Sequence, residues 1–364
     1  MVRRLAVRFS LIVLPDERRV HERPTPTLGG SAMYMGLLVA MVVASQLKGL
    51  SPLFRGSSDP LGVVLAASVI FVVGLVDDVR EMSPPAKLSG QIVAGTVLYL
   101  FGIDMLFFRV PFLSTTLVLS ADLIPIMTVL WVVGMANAVN LVDGLDGLAA
   151  GIVAIAATAF FIYAHQLVHT GTIFLGTSGQ LFSVIVIGLC VGFLPHNFHP
   201  AKIFMGDAGA LLLGLLMAAA TISVVGQTDR DFSGRTFFFF APVLIPFFIL
   251  GIPMLDTAFA IVRRAGRRSN PAVADKNHLH HRLMRLGHGQ TRSVLILWTW
   301  TALLSGLVLY PSFVHGALSY VPIGIVALGV ALYTAFGVRG HSEPPVRERA
   351  DRAVAAVRRG SDPG

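Results

Sequence analysis

The sequence predicts an all-α polytopic membrane protein, a bundle of about ten transmembrane helices with its polar, site-bearing loops on the cytosolic face. Three observations predict it. Of 364 residues, 54% are hydrophobic and only 13% charged, with a mean hydropathy of +0.74; soluble domains are roughly a quarter charged. Ten segments are apolar over the roughly 20 residues that a bilayer crossing takes. Lys and Arg concentrate on alternate loops between those segments.

The spans are placed at 29–47, 60–76, 87–107, 121–141, 145–166, 179–195, 208–226, 237–262, 293–310 and 318–338. With the N-terminal tail inside, all but five of the 28 Lys and Arg residues fall on the same side; the exceptions are Lys48, Arg55, Arg109, Arg230 and Arg235. The tail-bearing side is therefore expected in the cytosol, with both termini inside. Residues 1–28 form a cytosolic N-terminal segment, 29–338 the transmembrane domain and 339–364 a disordered basic tail near anionic lipid. Within the first segment, 5–14 (LAVRFSLIVL) is too short to span and lacks a cleavage site. It reads as an interfacial helix or the remnant of a longer span. Residues 108–122 suit a short extracytoplasmic hairpin. Cys190, the single cysteine, lies in an apolar run and is expected to be packed inside. The net charge of +8 flanks the spans rather than forming a face, so no nucleic-acid partner is expected.

The polar motifs sort to one side of this topology. Asp77-Asp78 ends the second span. Asn140, Asp143 and Asp146, interleaved with Gly144 and Gly147, join the fourth and fifth. His196, Asn197, His199, Lys202 and Asp207 lie between the sixth and seventh. Asp275 to Arg282, with His278, His280 and His281, follow the eighth. All four groups fall on the cytosolic side. Carboxylates at a bilayer are costly to desolvate and should pair or serve a site. Asp143 and Asp146, three apart, would share a helical face, and Asp207 suits a helix N-terminus aimed at an anion or a cation. Each motif also has a plainer reading: a solvated helix end for Asp77-Asp78, a turn and cap for Asp143 and Asp146, a simple N-cap for Asp207.

Many carboxylates and few thiolates favour a hard cation with oxygen ligands, and magnesium suits such a set if phosphates complete its shell. The histidine loop is crowded with Arg263, Arg264, Arg267, Arg268, Lys276, Arg282 and Arg285. It suits a diphosphate better than zinc. Phosphoryl transfer at a membrane surface needs these parts. There is no P-loop motif and no nucleophile elbow.

HERPTPTLGG (21–30), GLVDD (74–78), NAVNLVDGLDGLAAG (137–151), HNFHPAKIFMGDAGALLLG (196–214) and DKNHLHHRL (275–283) resemble the polyprenyl-phosphate N-acetylhexosamine-1-phosphate transferases, glycosyltransferase family 4. The resemblance runs from about residue 15 to 310. It implies transfer of a sugar 1-phosphate from a UDP-sugar to a polyprenyl phosphate at the cytosolic face of the bacterial plasma membrane. UMP leaves, and magnesium (or manganese) is required. By the same resemblance Asp77 and Asp78 lie near the lipid phosphate, one of them as a general base. A phosphate monoester is already largely anionic near neutral pH, so positioning alone would suffice. Asp143, Asp146 and Asn140 line the nucleotide and metal site, and Lys87 meets a phosphate. Asp207 binds magnesium, and Asn197 lies on the uridine-diphosphate side. His278, His280, His281 and Arg282 bind the sugar-nucleotide phosphates. Arg23, Thr25 and Thr27 belong to the N-terminal motif.

His-Leu-His-His and ERPTPTLGG resemble the branch that uses UDP-N-acetylglucosamine (UDP-GlcNAc) more than the peptidoglycan branch, whose donor is UDP-N-acetylmuramoyl-pentapeptide. The product implied is polyprenyl-diphosphate-GlcNAc, which initiates a wall or surface glycan. Expected partners are UDP-GlcNAc, polyprenyl phosphate, membrane lipid and, in a homodimer, a second copy. Members of this branch carry a full span before the HERP motif where this chain has 5–14, so a longer chain is expected to be more stable or active. A competing class, an ion-coupled transporter, would place ionisable groups at midplane and gates on both faces. The one-sided clustering argues against it.

Overall fold

A computed structural model describes residues 12–13, 25–109, 116–169, 178–226, 289–313 and 321–336. Strands β1 (Ile12–Val13) and β2 (Thr25–Pro26) pair antiparallel. Helices α1 (Gly29–Gln46), α2 (Ser51–Gly56), α3 (Asp59–Arg80) and α4 (Pro84–Leu100) follow. Strands β3 (Phe107–Arg109) and β4 (Thr116–Val118) then make an antiparallel pair with Phe107 opposite Val118. Next come α5 (Leu123–Val142), α6 (Leu148–His169), α7 (Ser178–Asn197) and α8 (Gly206–Thr221), the last continuing as a π-turn through Gly226. Helices α9 (Gln290–Phe313) and α10 (Val321–Phe336) complete the described residues. Among those, α1, α3, α5, α6, α7 and α8 are long and apolar enough to cross a bilayer.

Helices stand where nine of the ten spans were expected, as α1 and α3 to α10, and six of them, those just named, are long and apolar enough to cross; α2 is a short connecting helix, and the eighth expected span, 237–262, lies outside the described residues. So do the tail, Arg23 and the histidine loop. Three boundaries differ. Helix α3 runs through Arg80, so Asp77 and Asp78 sit in its last turn rather than beyond it; nothing in LVDDVR breaks a helix. Helix α4 stops at Leu100 instead of 107, where Gly102 at φ 89° turns the chain towards the hairpin. Ile12 and Val13, expected within an interfacial helix or span remnant, form a strand. They are β-branched and followed by Pro15, which disfavours helix before it.

Helix α8 lies at the centre. Every residue from Ala208 to Thr221 is buried, because GDAGALLLGLLMAAAT offers no polar stripe and a helix apolar all round must be enclosed. Helices α1, α3, α5 and α7 surround it. Their outer faces carry the exposed aliphatics, among them Val39 and Val43 on α1, Val72 and Val79 on α3, and Ile126 and Leu130 on α5. A lipid-facing surface takes such residues without a protein partner. Cys190 is fully buried and unpaired, as expected.

The two ends of the bundle differ in chemistry. One end joins Ser58 to the Phe101 carbonyl, Ser178 to Asp59, and holds the β3–β4 hairpin. The other end gathers the close of α3, the start of α4, the close of α5 and α7, and the start of α8.

Candidate active site

The site begins with a tight turn. Glu81, at φ 43°, reverses the chain after α3, and the Met82 N–H donates to Asp77 Oδ1 at 2.6 Å. Ser83, Pro84 and Pro85 then open α4, the prolines filling first-turn positions that need no N–H partner. This turn sets Lys87, on the first turn of α4, beside Asp77. Lys87 Nζ donates to Asp77 Oδ2 at 2.9 Å and also to Asp207 Oδ2. One ammonium thus joins the ends of α3, α4 and α8.

Asp78 meets α8 directly. Its Oδ1 accepts the Asp207 N–H at 2.8 Å and its Oδ2 the Ala208 N–H at 3.1 Å. The segment before α8 is tied to the N-terminal motif as well. Phe204 N–H donates to the Pro26 carbonyl, and the Gly29 and Gly30 N–H groups donate to the Phe204 and Met205 carbonyls, all at 2.8 to 2.9 Å.

The central acidic motif divides in two. Helix α5 ends at Val142, so Asp143 and Asp146 fall in a loop and do not share a helical face as their spacing suggested; Gly147, at φ 76°, turns the chain into α6. Asp143 is half-buried and lies among like charges. Loss of hydration pushes its carboxyl up to about 8, and the negative charges of Asp207, Asp78 and Asp146 push the same way. Asp146 is buried and has partners: its Oδ2 lies 2.8 Å from His199 Nδ1 and accepts the Ala201 N–H at 3.1 Å. Asn197 is also buried. Its Oδ1 accepts the Gly147 N–H at 3.0 Å and its Nδ2 donates to the Ile203 carbonyl at 3.1 Å. Asp146 and Asn197 therefore clamp the 143–147 loop to the 198–204 loop. Asn140 differs again: its Nδ2 is buried with no acceptor among the described residues.

The family model for glycosyl transferase family 4 matches residues 60–225, which contain Asp77, Asp78, Lys87, Asn140, Asp143, Asp146, Asn197 and Asp207. The chain is 40% identical over 309 residues to the decaprenyl-phosphate N-acetylglucosaminephosphotransferase of Mycolicibacterium smegmatis, covering 84% of this chain and 76% of that one. The chain belongs to glycosyl transferase family 4. It is 37% identical over 298 residues to a probable undecaprenyl-phosphate N-acetylglucosaminyl 1-phosphate transferase of Bacillus subtilis, over 82% and 76% of the two chains. A phospho-N-acetylmuramoyl-pentapeptide-transferase of Staphylococcus saprophyticus is 30% identical over 299 residues, with 78% and 84% coverage.

Four of the five family motifs therefore meet at one end of the bundle, through Pro26 to Gly30, Asp77 and Asp78, Asn140 to Asp146, and Asn197 to Asp207. The fifth, with His278, His280, His281 and Arg282, lies outside the described residues. Two expected substrate-facing residues, Asp146 and Asn197, have their polar atoms on protein partners here. His199 of the HNFH motif has a role that the sequence does not show. Its partner, Asp146, lies 53 positions earlier in the chain, and no local pattern joins them. Trp298 of α9 was not singled out either; its Nε1 donates to the Leu148 carbonyl at 3.3 Å and its ring lies 5.7 Å from that of Phe198. It packs α9 against the same loops.

Proposed function

We propose that this chain transfers GlcNAc 1-phosphate from UDP-GlcNAc to a polyprenyl phosphate at the cytosolic face of a bacterial plasma membrane. An oxygen of the lipid phosphate attacks the sugar-bearing phosphorus, the diphosphate bridge breaks, UMP leaves and polyprenyl-diphosphate-GlcNAc forms. The observation that carries the reading is the convergence of Asp77, Lys87, Asp143 and Asp207 at one end of a membrane bundle, where the last turn of α5 also carries Asn140, whose buried amide N–H has no acceptor among the described residues. The higher identity to relatives named for N-acetylglucosamine than to those named for the muramoyl pentapeptide favours the donor.

The donor set fits magnesium. It is made of hard carboxylate oxygens, and among the described residues no three His, Cys, Asp or Glu side chains form a ready cage. Magnesium is commonly held by one or two carboxylates with the substrate phosphates completing its shell. Asp207 would hold it with Asp77, whose Oδ2 already shares one cationic partner with Asp207. When bound, the ion supplies positive charge to the diphosphate and the leaving oxygen. The chain's own groups do the rest. Lys87 neutralises charge at the junction of α3, α4 and α8. Asn140 donates its amide N–H to a substrate oxygen. Asp143, held largely protonated near neutral pH by lost hydration and by its like-charged neighbours, would give up its proton to become a further carboxylate donor once a cation is present. Asp146, His199 and Asn197 keep the two loops in register. His278, His280, His281 and Arg282 are assigned to the sugar-nucleotide phosphates by the family resemblance alone.

The test uses the purified full chain with polyprenyl phosphate and magnesium, offered UDP-GlcNAc or UDP-N-acetylmuramoyl-pentapeptide in parallel. UMP release and a lipid-linked GlcNAc product are expected with the first donor only. Turnover with the pentapeptide donor alone overturns the choice of sugar, and turnover with neither overturns the reading.

A further inference from the structure

Helix α8 begins where its own sequence cannot cap it. The residue before it is Met205, which has no side-chain oxygen and makes no capping bond. The first N–H groups of a helix need acceptors from outside it, and inside a bilayer bundle an unmet one is expensive. Asp78 on α3, 129 residues earlier than Asp207, accepts two of them with its two oxygens. The backbone is shaped for that approach. Gly206 takes φ 64°, and a Cβ there would stand 2.5 Å from Asp78 Oδ2. Gly74, one turn before Asp78, lets α3 lie against α8; a Cβ on it would stand 2.4 Å from the Ala208 Cα. Asp77 has different company, the Lys87 ammonium and the Met82 N–H.

We propose that Asp78 is a positioning residue that acts through α8, and that the adjacent aspartates divide their work. The Asp78 carboxylate fixes the rotation and height of the first turn of α8, and so holds Asp207 against Asp77 and Lys87. It accepts no proton from the lipid phosphate and touches neither substrate. The positive end of α8 is then already neutralised by a carboxylate of the same chain. The incoming phosphates draw on Lys87 and the bound cation instead of the helix terminus. The inference rests on the transferase reading in one respect, that Asp207 is the metal-binding side chain.

The experiment measures Mn2+ binding directly, by electron paramagnetic resonance, on the purified full chain. It also records the unfolding temperature and the pH profile of transfer. Asp78→Asn and Asp78→Ser each keep one acceptor oxygen and are compared with Asp78→Ala and wild type. Loss of an outer partner of a metal ligand costs about 10–100-fold in affinity, and that loss is expected in the Asn and Ser variants. Their unfolding temperatures should lie between those of Ala and wild type. At saturating metal their transfer should recover with an unmoved pH profile. If Asp78→Ala does not fold, the Asn and Ser pair still decides. Gly206→Ala, which keeps the carboxylate but displaces it, should also weaken Mn2+ binding. Wild-type metal affinity and unfolding in Asp78→Asn, together with lost transfer or a lost limb of the pH profile, overturns the proposal and makes Asp78 a reacting group. A wild-type chain that binds Mn2+ but transfers no GlcNAc overturns the donor reading alone. One that transfers GlcNAc but binds no Mn2+, with or without UDP present, overturns the metal-binding role of Asp207 and this proposal with it, and leaves the donor reading standing.

Discussion

Asp143 and Asp146 are three positions apart and have opposite surroundings. Asp143 is held among like charges, whereas Asp146 accepts from His199 and from the Ala201 N–H. Substitution should therefore separate activity from stability. Asp143→Asn removes a carboxyl that the fold must keep protonated near neutral pH, against its ordinary value, so the unfolding temperature should stay level or rise. Transfer should fall by roughly 10²–10³-fold, the usual scale for losing one electrostatic group of a preorganised site. Asp146→Ala leaves the Ala201 N–H without its acceptor and should lower stability by about 1–3 kcal/mol. Unfolding followed by tryptophan fluorescence, alongside UMP release, reads both; an Asp143→Asn variant less stable than Asp146→Ala contradicts this division. The residue types were legible in the sequence, and so was their gathering at one end of the bundle. Their individual roles were not. The rule for residues three apart holds only while the helix continues, and α5 stops at Val142. The partners of Asp146 and Asn197 lie about fifty positions away in the chain.

At the scale of elements, the described spans were legible because bilayer crossing imposes length and apolarity together. The β3–β4 hairpin was legible from its position between spans, and Val118 there is exposed. Helix ends were less so. The start of α8 depends on a carboxylate from α3, and the close of α3 depends on Glu81 adopting a left-handed conformation that its side chain does not advertise. What makes α8 central is close backbone approach, and this yields a paired prediction. Gly74→Ala places a methyl 2.4 Å from the Ala208 Cα and should cost about 1–3 kcal/mol through overpacking. Gly134 on α5 is exposed, and a Cβ there meets nothing within 4 Å. Gly134→Ala should be neutral or stabilising by up to about 1 kcal/mol, from helix propensity. Thermal unfolding in one detergent compares the two. Equal shifts mean that α3 does not rest on α8 through Gly74.

For the whole molecule, orientation decides whether the acidic cluster meets a cytosolic nucleotide sugar, and it was read from Lys and Arg alone. The structure supplies the complementary fact that the described polar motifs share one end of the bundle. It also supplies a clean way to ask which end that is. Cys190, the single cysteine of the chain, is fully buried, so a membrane-impermeant maleimide should leave the native chain unlabelled in intact cells. Lys202, exposed in the loop between α7 and α8, lies at the site end; Lys48, exposed after α1, lies at the opposite end. Lys48→Cys should label in intact cells, and Lys202→Cys only after permeabilisation. Neither substitution touches the Asp77, Lys87 and Asp207 junction, so both variants should keep transfer activity and report a working molecule. The reverse labelling pattern places the cluster outside. The charge asymmetry would then not govern insertion of this chain, and a UDP-sugar donor supplied from the cytosol would have no access to Asp207.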